Sequence, residues 1–173
     1  MVGNASNTGV LPSKTNLRRR NPQLTCILLF FKTCLSIFTF LTRVHNHART
    51  ALGPSPNLTA FLTELATGFR GLLLDHFKKF QVNAAGGIMV TKDLTKYTEL
   101  LRTWDLGASF EPSLEVLAEI GNLFVVGPDA LRERLRGKGG VIGGIWEKGD
   151  MRPYVLRRED AGSVGVQSVL SAL

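Results

Sequence analysis

The clearest order in this chain is a helical one. Leu58, Phe61, Leu62, Leu65, Phe69, Leu72, Leu73, Phe77 and Phe80 recur at spacings of three and four, while Thr63, Glu64, Thr67, Arg70 and Lys78 fall between them. Apolar residues in that rhythm share one side of an α-helix and predict a long amphipathic helix, with Asn57 as its N-cap. Before it, Ile37, Phe38, Leu41, Val44, Ala48, Ala51 and Leu52 form a similar stripe, ended by Gly53-Pro54-Ser55-Pro56 because two prolines in three residues cannot continue a helix. After it, Asn83-Ala84-Ala85-Gly86-Gly87 reads as a tight break between helices.

Beyond the break, Asp93 is the expected cap of a third helix carrying Leu94, Tyr97, Leu100, Leu101 and Trp104. Pro112 suits the first turn of a fourth, whose inner face is Leu114, Leu117, Ile120, Leu123 and Phe124. Gly127-Pro128-Asp129 opens a short fifth helix, and Gly137 is placed to stop it. The stretch 137–149 is glycine-rich and reads as a flexible loop, residues 150–160 as a last short helix, and 161–173 as a flexible tail. Only the brief run from Gly87 to Val90 alternates with the period of a strand. The fold class is therefore all-α, an antiparallel helical bundle over 38–160.

The first part of the chain is different. Residues 1–23 are rich in small and polar residues and read as a disordered basic leader. Residues 24–41 are almost continuously apolar, with Lys32 near the centre. Eleven Leu, Ile and Phe in that run favour membrane insertion by about 5 kcal/mol together, and a central lysine opposes it by about 2.5 to 3.5 kcal/mol. Insertion is marginal. The run is a candidate membrane segment, a buried bundle helix, or a segment foreign to the domain, and 24–37 is left unassigned among the three. The basic flank gives a second functional reading, a signal-anchored protein with a small helical cytosolic domain.

Charge changes the picture once. Residues 1–50 hold seven Lys and Arg and no Asp or Glu, whereas the other 123 hold 14 basic and 14 acidic side chains. The net charge of +7 thus belongs to the first fifty residues rather than to the rest of the chain, which argues against nucleic acid as a partner. Two cysteines, Cys26 and Cys34, are too few for a disulfide framework or a zinc site. Gly137-Lys138-Gly139 has no preceding strand and no following Ser or Thr, so it is no phosphate loop. His45 and His47 point in divergent directions on a helix, His76 does not face Asp75, and no serine or cysteine is paired with a base in sequence. No catalytic, cofactor or metal residues are expected, and the chain is read as a non-enzyme.

Three stretches carry a resemblance: GLLLDHFKKFQVNAAGGIMVTKDLTKYTELLRTW, SFEPSLEVLAEIGNLFVVGPDALRERLRG and DMRPYVLRREDAGSVGVQSVLSAL. Together they make residues 38–173 similar to the C-terminal helical portion of the exocyst subunit Sec-ten in its fungal form, with residues 1–37 outside the similarity. The resemblance implies an elongated helical scaffold with no catalytic motif, acting in vesicle tethering at the plasma membrane. It also implies a cytoplasmic location, peripheral membrane association through the complex, and other exocyst subunits as partners, Sec-fifteen first among them. Family members are several times longer, so the chain corresponds to the last bundle of the rod. Candidate partner-contact residues are the mixed-charge run Arg157, Arg158, Glu159 and Asp160, together with Leu72 and Phe77 on the long stripe.

Overall fold

A computed structural model describes residues 22–136 and 148–173, with side chains from 33 to 135 and from 149 onward. Among the described residues seven helices follow one another: α1 (Pro22–Leu52), α2 (Pro56–Phe77), α3 (Ala84–Arg102), α4 (Glu111–Val125), α5 (Pro128–Arg136), α6 (Lys148–Val155) and α7 (Val164–Leu170). Short 3-10 turns at Ala108–Phe110 and Glu159–Gly162 lead into α4 and α7. The only bridge between extended residues is the isolated one from Val82 to Arg158, among the described residues. The chain is an all-α bundle.

Each helix begins and ends for a local reason. Gly53 takes φ +57, a left-handed conformation open to glycine, and its N–H closes α1 on the Arg49 carbonyl at 3.1 Å. Pro56 then occupies the first turn of α2, where its missing N–H costs nothing, and the Ser55 hydroxyl accepts from Leu58 N at 3.2 Å. The cap is thus Ser55 and not the expected Asn57. The larger correction concerns α3. Asn83 caps it, its Oδ1 accepting from Gly86 N at 2.7 Å, so the Ala-Ala-Gly-Gly run is the first turn of the helix and not a break before it. Asp93, expected as a cap, lies buried in the middle of α3.

α3 and α4 are the most extensively paired helices. Gly87 and Gly121 allow that pairing, because their backbones approach the opposite helix closely: a Cβ on Gly87 would stand 2.6 Å from the Phe124 carbonyl oxygen. Thr91 Oγ1 donates across the same seam to the Gly121 carbonyl at 2.9 Å. Around this pair, Leu94, Leu117, Ile120, Leu123, Tyr154, Val155, Val166 and Val169 form one apolar cluster. A second cluster joins α1, α2 and the end of α3 through Leu41, Leu62, Ala66, Leu101, Trp104 and Leu114.

Two boundaries differ from the sequence reading. Residues 161–173 are not a loose tail, since α7 buries Val166, Val169 and Leu170 against the core. Their spacing of three and four had the helical signal, in a window too short and small-residued to stand out. Lys148 and Gly149, assigned to the glycine-rich loop, belong to the first turn of α6. The remainder of that loop, the expected stop at Gly137, and residues 1–21 of the leader lie outside the described residues.

The apolar run 24–41 is part of α1. From Cys34 onward its inner face packs into the bundle through Cys34, Ile37 and Leu41. Among the described residues no helix is long and apolar enough to cross a membrane. The signal-anchored alternative and the candidate membrane segment at 24–41 are therefore not favoured.

Candidate functional site

Side chains that could do chemistry are either buried in packing roles or scattered. Cys34 is buried between α1 and α3, where burial pushes its thiol up, away from the reactive thiolate. It shares that position with Asp93 and Tyr97, both buried and both with proton affinities raised first by burial. His45 is stacked on Trp104, their ring centres 5.5 Å apart, and burial lowers its imidazole so that it stays neutral. No group of three or more His, Cys, Asp or Glu is placed to hold a metal, among the described residues.

Asp93 makes a test of this buried cluster. The groups facing it are Cys34 on α1 and Lys96 and Tyr97 on α3. Because burial raises its carboxyl, the folded chain holds that proton more tightly than the unfolded chain does. Its favourable contribution is full below the ordinary carboxylate range and is lost as pH rises through the raised value. Asp93→Asn keeps the shape and cannot ionise, so its stability relative to the native chain is expected to rise between pH 4 and pH 7 in urea titrations. A constant difference would show that the carboxyl is not charged at a cost.

The candidate contact residues divide sharply. Arg158 is 6% exposed, and its guanidinium is fully engaged. Nη1 donates to the carbonyls of Leu123 at 2.6 Å and Val126 at 2.7 Å, at the end of α4, and the other edge grips Asp160 through two bonds of 2.8 Å. That pairing holds the Asp160 carboxyl below its usual range. Arg158 and Asp160 therefore form an internal clamp on the C-terminus of α4, and Arg158 cannot reach a partner. Phe77 is likewise spent, 5% exposed within the core. Arg157 and Glu159 remain exposed, and their backbones pin the α2–α3 connection: Val82 N donates to the Arg157 carbonyl at 2.7 Å and Glu159 N to the Val82 carbonyl at 2.9 Å.

Leu72 is the best of the candidates, 72% exposed on α2. It stands on a groove of about 790 Å³ between α1 and α2, walled by Ile37, Phe40, Leu65 and Phe69 and floored by Asp93 and Tyr97 of α3. A neighbouring hollow of about 520 Å³ continues the face toward the α1–α2 turn, past Phe40 to Arg43, Leu52 and Phe61. Phe40 and Phe61 were missing from the sequence-derived candidates: Phe61 stood on the second stripe, whereas Phe40 fell outside the first. Whether a stripe residue faces the core or the outside depends on where the third helix lies, and sequence spacing alone does not say.

Among the described residues the bundle thus presents an open apolar face and no assembled reactive cluster. The family model described as "Exocyst complex component Sec10-like, alpha-helical bundle" matches residues 14–170. The match takes in most of the segment 1–37 that the sequence reading had set outside the similarity. "Exocyst complex component SEC10a" of Arabidopsis thaliana is 33% identical over 140 residues, 81% of this chain and 16% of that protein. "Exocyst complex component SEC10" of Saccharomyces cerevisiae is 38% identical over 104 residues, 60% of this chain and 12% of that protein. "Exocyst complex component 5" of Oryza sativa subsp. japonica is 29% identical over 140 residues, 81% of this chain and 16% of its own length. The chain thus spans about 16% of the length of the first curated relatives it matches. No solved structure matches it. With the family match running through all seven helices, from α1 to the last residue of α7, the chain belongs to the Sec10-like alpha-helical bundle family of exocyst components.

Proposed function

We propose that the chain is a non-enzymatic scaffold component of the exocyst, contributing to the tethering of secretory vesicles to the plasma membrane through helix-to-helix contacts. The observation that carries this reading is membership of the Sec10-like family across residues 14–170. An apolar face left open on a bundle without a reactive cluster supports it, since such faces mark protein contact. The chain acts from the cytoplasm at sites of polarised secretion and meets the membrane only peripherally, through the complex. Sec-fifteen is the proposed neighbour, and Arg157, Glu159 and Leu72 are the proposed contact residues, being the candidates that are exposed and, unlike Asp160, not engaged with Arg158.

The test is isolation of the tagged full chain from cells, with its associates identified by mass spectrometry. Exocyst subunits, Sec-fifteen among them, are expected, and reversing the charges of Arg157 and Glu159 together should reduce their recovery. Recovery of the chain without any exocyst subunit would overturn the reading.

A further inference from the structure

The open face of α1 and α2 has a property that goes beyond the scaffold reading: it is complementary to itself. The two helices run antiparallel from the turn at Pro54, each rising about 1.5 Å per residue, so residues equally far from Pro54 stand at the same height. Phe40 and Gly68 are each 14 residues from Pro54, and Ser36 and Leu72 are each 18. Phe40 is a protruding ring, 61% exposed, whereas Gly68 is a hole: a Cβ added there would meet nothing within 4 Å. Leu72 protrudes, and Ser36 opposite it in height is small and exposed. Arg43 on α1 and Glu64 on α2 are 11 and 10 residues from the same point, line the same face, and make no ion pair among the described residues.

We propose that this face binds a second copy of the chain, with a two-fold axis running along the α1–α2 hairpin. That operation lays α1 of one copy over α2 of the other at equal height. Each Phe40 then enters the hole at the partner's Gly68, each Leu72 covers the partner's Ser36, and each Arg43 meets the partner's Glu64. Both members of every pair occur twice, as a closed isologous contact requires. Knob against hole at the centre and opposite charges at the sides are what packed helix interfaces need. The described part of α1 from residue 33 is about 28 Å long and two helices are about 20 Å wide, a footprint of roughly 560 Å² per partner, which suits a small interface in a reversible monomer–dimer equilibrium. A heterologous helix would equally cover apolar surface, but nothing would then require holes and knobs, or Arg and Glu, to match in height.

The decisive variant is Gly68→Leu, because the space around Gly68 is open and the substitution suits a helix, so the monomer should fold unchanged. Sedimentation velocity of the full chain over a concentration series is expected to show a monomer–dimer equilibrium, weakened at least tenfold by Gly68→Leu, with the thermal transition of the diluted monomer not lowered. Arg43→Glu and Glu64→Arg should each weaken the dimer, and the two together should restore it. A monomer at all concentrations, larger open-ended oligomers, a dimer indifferent to Gly68→Leu, or a charge-reversed pair that fails to restore association would each overturn the proposal. The measurement uses the purified chain without other exocyst subunits, so its failure leaves the scaffold reading standing, and the converse.

Discussion

Arg158→Ala is expected to cost about 2 to 6 kcal/mol of folding stability, most of it from the two backbone carbonyls left without their donor. The side chain is 6% exposed and binds three groups at once, the carbonyls of Leu123 and Val126 and the carboxylate of Asp160. Truncation leaves the buried Leu123 carbonyl and the part-buried Val126 carbonyl without this donor, each a loss of roughly 1 to 3 kcal/mol, the second nearer the lower figure. The ion pair itself matters less, because the Asp160 side chain is 46% exposed and solvent screens much of that attraction. Arg157→Ala supplies the control: its side chain is exposed, and a change within about 0.5 kcal/mol is expected. Denaturant titration followed by circular dichroism measures both. Equal midpoints for the two variants would refute the clamp. Acid should act in the same direction as Arg158→Ala, more weakly: the depressed Asp160 carboxyl contributes stability above its ordinary range and loses it as pH falls through the depressed value.

That clamp also marks how far sequence reasoning reaches in this protein. The helices with long apolar stripes, α2 and α4, are legible from spacing alone, and Pro112 and Gly127-Pro128 announce the starts of α4 and α5. Local chemistry misled where a tertiary contact set the outcome. Ala84-Ala85-Gly86-Gly87 resembles a turn by composition, yet Gly87 serves close packing against α4, and the helix starts before it. Asp93 resembles a cap because a mid-helix acid is expected to face water, whereas its partners Cys34 and Tyr97 are distant or one turn on. Arg158 resembled a surface charge because the carbonyls that bind it lie 35 and 32 positions away in sequence. For the contact candidates, then, periodicity identified the apolar stripes, and only the placement of α3 and α4 separated exposed Leu72 from buried Phe77.

Gly87→Ala should be the second severe substitution, and it should contrast with the same change at Gly68. Replacing glycine by alanine inside a helix ordinarily stabilises by roughly 0.5 to 1 kcal/mol, since the unfolded chain loses freedom and helix propensity rises. Gly68→Ala meets open space and should show that gain. At Gly87 the new methyl would lie 2.6 Å from the Phe124 carbonyl oxygen and 3.1 Å from its carbonyl carbon. Backbone in the middle of a packed seam cannot rotate aside as a side-chain tip would, so α3 and α4 must separate. Separation would also lengthen the 2.9 Å bond from Thr91 to the Gly121 carbonyl, one turn further along the same seam. Overpacking of this kind costs about 1 to 3 kcal/mol, enough to reverse the propensity gain. The expected result is a midpoint raised by Gly68→Ala and lowered by Gly87→Ala when both are unfolded in urea at a concentration low enough to keep the chain monomeric. Two glycines in helices of one protein would then respond with opposite signs, for the single reason that one faces solvent and the other faces a carbonyl. If Gly87→Ala also stabilised, the close approach of α3 and α4 would be wrong, and with it the account of why Gly87 stands in the first turn of a helix.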